Sequence, residues 1–444
     1  MKNSTRLVLA GQQTDGCYRS IVPPIYQSAI FGFDDVGVTR GYDYTRSGNP
    51  TRTALEDVLA DLEGGAGAVA VNTGMAAIST VLALFDAGDH VICSHDCYGG
   101  TERLLRTLRD QRKLEVSFVD LTDPGALASA RQPNTRAMWV ETPSNPLLRI
   151  ADLETIGRAA RGAGLLLIVD NTFLSPLFQQ PIALGADIVV HSTTKYLNGH
   201  SDVVGGAIIA RTKDLHARLA WLANAHGSTA QPFDCWLVLR GIKTLPLRLK
   251  QHEANAVAVA RFLEAHPLVE KVYYPGLESH TGHELAKRQQ QGFGGVVSFA
   301  LRGGAQAVRA LLLSTKIFAL AESLGGVESL IEQPATMSHA AMLPEQRAAA
   351  GITDSIIRLS VGVEDQDDLI DDLRAALDAA AQLLPVEHPS LSSRDESQDG
   401  NATRENRPET SVRAIGNEVP EAAGILHAIE NPTASHIENF SLHV

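Results

Sequence analysis

From residue 69 onward, short apolar runs rich in β-branched residues recur at 69–71, 90–93, 116–119, 138–140, 165–169, 188–190 and 207–209. Segments of helical character, 75–85, 101–110 and 153–163, lie between them. Strand alternating with helix predicts a largely parallel sheet covered by helices on both faces. Polar residues cluster just after the runs, at 72–74, 96–98, 141–145, 170–172 and 191–195. In open α/β sheets ligands bind outside the carboxyl ends of the strands, so these clusters are expected to converge on one site.

After Gly241 the pattern changes. A long helical stretch at 243–265 is followed by shorter alternating segments around 269–273 and 296–301, and by helical spacing at 305–313 and 366–383. This predicts a smaller α+β domain over 244–384 behind a large ligand-binding domain over 51–243. Residues 1–50 hold Pro23, Pro24 and several glycines with little periodicity, which suits an extended arm. From 385 to 444 the chain is rich in Ser, Asn, Glu and Pro, with ten acidic and four basic residues, and reads as a disordered tail. A short apolar patch at 422–429 has the length of a single docking helix, the minority reading of that segment.

Composition narrows the function. At 444 residues, with 44% hydrophobic and 20% charged residues, a large core in more than one domain is expected. The net charge of -13, without any Lys/Arg cluster, argues against nucleic acid and for small-molecule partners. Four scattered cysteines, Cys17, Cys93, Cys97 and Cys235, do not make a disulfide framework and suit a reducing cytoplasm. Cys93 and Cys97 lack a second pair at metal-binding spacing, so no metal is expected. No apolar run long enough for a signal peptide or a membrane span occurs, which predicts a soluble, unexported protein.

The chemistry centres on Lys195, directly after the apolar run 188–190. Lysine is costly to bury unless its charge is removed or paired, and a Schiff base with an aldehyde does that. Taken alone, Lys195 reads equally well as a surface lysine in a strand–loop turn. Asp170 ends the preceding strand, 25 residues earlier, where a carboxylate needs a cationic partner. The protonated nitrogen of pyridoxal phosphate would be that partner, keeping the ring an electron sink; a simple cap for Asn171 and Thr172 is the alternative. Thr73-Gly-Met75 opens a helix after a strand and could cradle a phosphate, which Ser192 and Thr194 could also bind. Tyr98 could lie on a pyridine ring, or be an ordinary buried tyrosine. Gly64-Gly-Ala-Gly67 and Gly292-Phe-Gly-Gly295 precede strands, the wrong context for a dinucleotide fingerprint.

Over about residues 22–384 the chain resembles the Cys/Met-metabolism family of pyridoxal-phosphate enzymes. The most specific match is Asp187-Ile-Val-Val-His-Ser-Thr-Thr-Lys-Tyr-Leu-Asn-Gly-His-Ser-Asp202. The resemblance implies an α/β fold of the aspartate-aminotransferase-like type I, with a large, mostly parallel domain and a smaller α+β domain. It implies that Lys195 is the Schiff-base lysine and proton shuttle, Asp170 the pyridine-nitrogen partner and Tyr98 the stacking and acid/base tyrosine. Gly74, Met75, Thr172, Ser192 and Thr194 are implied to complete the cofactor site. Tyr44 and Arg46, in Tyr42-Asp-Tyr-Thr-Arg-Ser-Gly-Asn-Pro-Thr51, resemble a pair that reaches the phosphate of a neighbouring subunit, which implies a homotetramer built as a dimer of dimers.

Asn145 in Thr142-Pro-Ser-Asn-Pro146, Ser323 in Ala321-Glu-Ser-Leu-Gly-Gly326 and Arg358 in Ile357-Arg-Leu-Ser360 are implied to bind the substrate carboxylate, with Glu322 also contacting substrate. Asp96-Cys-Tyr-Gly-Gly100, Asn171-Thr-Phe-Leu-Ser-Pro176 and Asn72-Thr-Gly-Met75 look like the bacterial cystathionine γ-synthase branch, while other segments look equally like the γ-lyases. The activity implied is γ-replacement: O-succinyl-L-homoserine, or its acetyl counterpart, and L-cysteine give L-cystathionine. The alternatives are γ-elimination of cystathionine and sulfide-using replacement. The tail after Pro385 departs from the family pattern.

Overall fold

A computed structural model describes residues 1–383 apart from Gln13. The tail expected from 385 and the segment at 422–429 lie outside the described residues. The seven apolar runs all form strands: β1 (Gly67–Val71), β2 (Asp89–Ser94), β3 (Leu114–Val119), β4 (Thr135–Glu141), β5 (Leu166–Asp170), β6 (Ile188–His191) and β7 (Gly206–Ala210). They make one sheet in the order β1-β7-β6-β5-β4-β2-β3. Strands β2 to β6 pair in parallel, whereas β7 runs antiparallel to both β6 and β1. The reversal has a local cause. Between β6 and β7 the chain forms only turns, and without a crossover helix the next strand returns in the opposite direction. That short return carries Lys195.

The three expected helices form as Gly74–Leu82, Gly99–Asp110 and Leu153–Ala163. Side chains start two of them. Thr73 Oγ1 accepts the Ala76 N–H at 2.8 Å and Asp152 Oδ1 the Thr155 N–H at 3.0 Å, each satisfying a donor that the helix leaves free. A helix at Pro50–Glu63 had not been expected, although Asn49 caps it and Pro50 sits in its first turn. Before it the arm is mostly irregular and leaves large apolar side chains such as Tyr18, Ile30, Phe33 and Val36 exposed.

The second sheet contains β8 (Val269–Tyr273), β9 (Val296–Leu301), β10 (Ala319–Leu320), β11 (Leu330–Glu332) and β12 (Ile356–Ser360), ordered β10-β11-β12-β9-β8. Helices Leu245–Glu264, Gly304–Ser314 and Gln366–Ala381 accompany it. Strands β10 to β12 escaped the sequence reading because they are short and β12 is buried along its whole length, so it shows no alternation. Two contacts join this half of the chain to the segment that follows β4 of the first sheet. Ser298 Oγ donates to Pro146 O at 2.7 Å, and Arg149 Nη2 donates to Ala350 O at 2.9 Å. Buried Arg248, on helix Leu245–Glu264, donates to Tyr196 O at 2.8 Å and Gly241 O at 2.9 Å, and so straps down the turn that follows Lys195.

Asp372 locks the outer helices together. Its carboxylate accepts the N–H groups of Lys316, Ile317 and Phe318 at 2.7, 2.9 and 3.1 Å. Asp372→Ala leaves these donors without their acceptor and is expected to cost about 3 kcal/mol, read as a lowered urea midpoint with the far-ultraviolet circular dichroism of the folded protein unchanged.

Candidate active site

The polar clusters at the strand ends do converge. Together with residues 322–324 and Arg358 of β12 they enclose a cavity of about 510 Å³. Lys195 enters it from the β6–β7 turn, between the buried side chains of Thr193 and Tyr196. Its Nζ donates to Ser323 Oγ at 2.6 Å. Burial lowers the amine to about 8, Arg358 adds to the effect, and Glu332 and Glu322 oppose it. A neutral fraction near neutral pH far above that of an exposed lysine makes this amine a better nucleophile and base.

Asp170, the last residue of β5, faces the same cavity. Thr172 holds one of its oxygens through its N–H at 3.0 Å and its hydroxyl at 2.6 Å, and the Ser192 N–H donates to Thr172 Oγ1 at 2.9 Å. Burial raises Asp170, and the two Thr172 bonds pull it back down. No Lys or Arg pairs with it among the described residues. Behind it lies a pair that sequence reasoning missed: His191 Nε2 is 2.6 Å from Glu63 Oε1, both fully enclosed, and Asn171 Nδ2 donates to the same oxygen at 2.9 Å. Nothing in the sequence around Glu63 signals this, since it is one acidic residue at the end of a helix.

Gly74 and Met75 lie at the start of helix Gly74–Leu82 and line the cavity with Ser192 and Thr194. A Cβ on Gly74 would sit 2.9 Å from the Ser192 Cβ, so only glycine lets the helix start approach the Lys195 turn this closely. Thr194 Oγ1 accepts the Gly205 N–H at 3.0 Å. Tyr98, 39% exposed, precedes helix Gly99–Asp110. Its backbone N–H donates to Glu141 Oε2 at 2.7 Å, while the Asn145 N–H donates to Glu141 Oε1 at 3.1 Å. Glu141 is pushed well above the usual carboxylate range by burial and then by Asp170, its direct neighbour on β5. Burial also raises the Tyr98 hydroxyl, with Arg103 opposing.

At the other end Arg358 is locked in place. Nη1 donates to Asn145 Oδ1 at 2.9 Å and lies 3.0 Å from Glu332 Oε1, and Nη2 donates to Ser323 O at 2.7 Å. Ser323 is held at φ +100°, a region disfavoured for any residue with a Cβ, and such strain collects at functional sites. Glu322 lines the cavity beside it. Tyr44 and Arg46 are not brought to this cavity. Arg46 Nη1 donates to Asn224 O and Oδ1 at 3.0 and 2.9 Å, with its guanidinium 5.4 Å from the Tyr44 ring, and Tyr44 is 45% exposed.

Pyridoxal phosphate makes three demands: an amine for its aldehyde, an anion for its ring nitrogen and donors for its phosphate. The cavity holds a part-neutral amine, a carboxylate with no cationic partner, and a helix start flanked by hydroxyls, so the donor set fits the group. Among the described residues no three His, Cys, Asp or Glu side chains could hold a metal ion, and no helix is long and apolar enough to cross a membrane.

Comparison with known proteins agrees with this donor set. The chain is 50% identical over 380 residues to cystathionine gamma-synthase of Escherichia coli (strain K12), covering 85% of this chain and 98% of that one. It is 48% identical over 378 residues to cystathionine gamma-lyase of Bacillus subtilis (strain 168), covering 85% of this chain and 100% of that one. The crystal structure of cystathionine gamma synthase from Xanthomonas oryzae pv. oryzae in complex with aminoacrylate and cysteine superposes with a TM-score of 0.85 at 53% identity, covering 86% of this chain and 100% of that one. The profile of Cys/Met metabolism PLP-dependent enzymes matches residues 4–378, and the chain belongs to that family of pyridoxal-phosphate enzymes, whose fold and cofactor it shares.

Proposed function

We propose that this enzyme catalyses γ-replacement, joining the homoserine moiety of O-succinyl-L-homoserine, or of the acetyl ester, to L-cysteine to give L-cystathionine. The observation that carries the reading is that the Lys195 amine shares one cavity with Asp170 and with the hydrogen-bonded Asn145–Arg358 pair. An amino acid whose carboxylate meets the pair presents its α-carbon to that amine. The 53% identity to the Xanthomonas oryzae synthase supports replacement over elimination. The 48% identity to the Bacillus subtilis lyase keeps γ-elimination of cystathionine as the second reading.

Each residue has a role derived from its surroundings. Asp170, oriented by Thr172, would hold the ring nitrogen, and Tyr98 would flank the ring. The N–H groups of Gly74 and Met75, with Ser192 and Thr194, would hold the phosphate. When bound, pyridoxal phosphate supplies an electron sink for negative charge at the substrate carbons. Lys195 Nζ would move protons at the substrate carbons, and its depressed basicity would let it both accept and return them near neutral pH. Asn145, Arg358 and Ser323 fix the substrate carboxylate, and Glu322 faces the rest of the substrate. Tyr44 and Arg46 reach the phosphate of a neighbouring copy in a homotetramer built as a dimer of dimers. The exposed apolar side chains of the arm, residues 1–50, support that assembly. The same reading assigns 51–243 to the cofactor and 244–384 to a smaller domain, in a cytoplasmic enzyme whose Cys93, Cys97 and Cys235 stay buried as free thiols.

Labelling of the cofactor-free protein by trinitrobenzenesulfonate tests the amine. Only the neutral form reacts, so modification of Lys195, followed by peptide mass spectrometry, rises with pH to half its maximum near pH 8, whereas exposed lysines follow a midpoint of about 10.4. A Lys195 midpoint above 10 contradicts the buried site. Gly206→Ala tests the phosphate cradle. A Cβ there overlaps the Thr73 carbonyl oxygen and forces the Thr73–Gly74 turn away, so pyridoxal-phosphate affinity by titration is expected to fall at least tenfold, roughly 1.4 kcal/mol. The activity itself is read from O-succinylhomoserine plus cysteine against cystathionine alone. Rapid cystathionine formation with little 2-oxobutyrate establishes replacement, and efficient 2-oxobutyrate release from cystathionine without replacement establishes the lyase.

A further inference from the structure

We propose that Glu332 is an internal counter-ion of Arg358, holding the guanidinium while no amino acid is bound and taking up a proton from solvent when a substrate carboxylate arrives. This rests on the reading that Arg358 receives that carboxylate, and it assigns Glu332 as a positioning residue that acts through Arg358.

The pairing is written into the sheet. In the antiparallel register of β11 and β12, Glu332 and Arg358 are directly opposed, and Glu332 Oε1 lies 3.0 Å from Arg358 Nη1. Both side chains are buried, at 1% and 3% exposure, so neither charge is screened by water. Oε1 also accepts the Ser338 hydroxyl at 2.6 Å, and Ser338 in turn is 2.9 Å from His339 Nδ1. The other oxygen, Oε2, is buried without any hydrogen-bond partner, and so is Arg358 Nε. An ionised carboxylate with one orphaned oxygen is costly, whereas the same carboxyl with a proton on that oxygen is not.

The charges that face Glu332 make it responsive to the substrate. Arg358 and Lys195 favour its ionised form, as does the Ser338 hydrogen bond, while burial and Glu322 oppose it, and burial is the largest effect. A substrate carboxylate on the far side of Arg358 adds a second anion to a guanidinium that already serves one. Like charges sharing a site raise the pKa of one of them. Glu332 is the anion already biased toward neutrality and carries the unpartnered oxygen, so it takes the proton. In the unliganded enzyme its charge keeps Arg358 from drawing in stray anions or folding away from Asn145. A purely structural pin would hold Arg358 just as well but would neither compete with the substrate nor exchange a proton.

The test uses the pyridoxal-loaded enzyme and butanoate, a carboxylate of substrate length with no amine to react. Calorimetric titration in two buffers of different ionisation heat gives both Kd and protons exchanged. For the unmodified enzyme, net proton uptake on butanoate binding is expected. Glu332→Gln keeps an Oε1 for Arg358 and Ser338 but removes the charge, so butanoate is expected to bind roughly tenfold tighter, with the proton uptake gone. Glu332→Asp keeps the charge and should not tighten binding. A Glu332→Gln enzyme that binds butanoate no tighter, or an unmodified enzyme that takes up no proton, overturns the proposal. The second criterion decides alone if Glu332→Gln fails to retain cofactor. Arg358→Ala separates the two levels: unchanged butanoate binding there removes the reading of Arg358 itself, while lost binding there with no gain in Glu332→Gln removes only the counter-ion.

Discussion

A guanidinium taken out of water must find partners for its charge and its donors, and the substrate end of this molecule is organised around meeting that demand for Arg358. Its partners come from separate stretches of chain: Asn145 after β4, the carbonyl of Ser323 before β11, and Glu332 on β11. Each is costly to place. Ser323 adopts a backbone conformation unusual for a residue with a Cβ, and Glu332 leaves one oxygen unpaired. The arrangement persists because removing any partner would leave a buried charge worse compensated than before. The same Ser323 that offers its carbonyl to Arg358 offers its hydroxyl to Lys195 Nζ, so one residue positions both the buried guanidinium and the cavity amine.

The ring end obeys a different constraint. Parallel strands β4 and β5 place Glu141 and Asp170 side by side at their carboxyl ends. Burial and then Asp170 raise the Glu141 carboxyl, burial raises Asp170, and the protein separates their duties through their donors. Glu141 spends both oxygens on the backbone N–H groups of Tyr98 and Asn145, which fixes the chain on either side of the cavity. Asp170 is held on one oxygen by Thr172, and with no Lys or Arg beside it it is left for a cation supplied from outside the chain. The neighbouring carboxyls are thus divided into one that shapes the cavity and one that, on the proposed reading, meets the cofactor's ring nitrogen.

The legibility of all this in the sequence follows the same physics. Strands β1 to β7 were readable because buried β-branched runs between helices leave a strong local pattern, and Lys195 and Asp170 were readable because charged residues at the ends of such runs contradict their surroundings. Long-range pairings were not. Glu332 gains its meaning from a register with β12 across more than twenty residues, and Glu63 from a contact with His191 across 128 positions. The antiparallel β7 was concealed for a related reason, since its apolar run looks like its parallel neighbours and only the helix-free return before it gives the direction away. Arg358, Asn145 and Ser323 were assigned through family resemblance alone, and the geometry now gives each a physical reason to sit where it does.

On the proposed reading the firmly held part of the site takes the α-carbon end of an amino acid, and the mouth is left open. Tyr98 and Val204 line the cavity and are 39% and 63% exposed, so in a single chain water reaches the region where a γ-substituent would depart. A thiol acceptor in a water-accessible mouth competes with solvent and with loss of the unsaturated product, the very competition that separates replacement from elimination. In the proposed oligomer the mouth is covered by a neighbouring arm, whose Tyr44 and Arg46 lie outside their own cavity and whose Ile30 and Phe33 are 70% and 54% exposed in the single chain. On this view the residues that choose the acceptor are contributed across the interface, while those that move protons come from one chain.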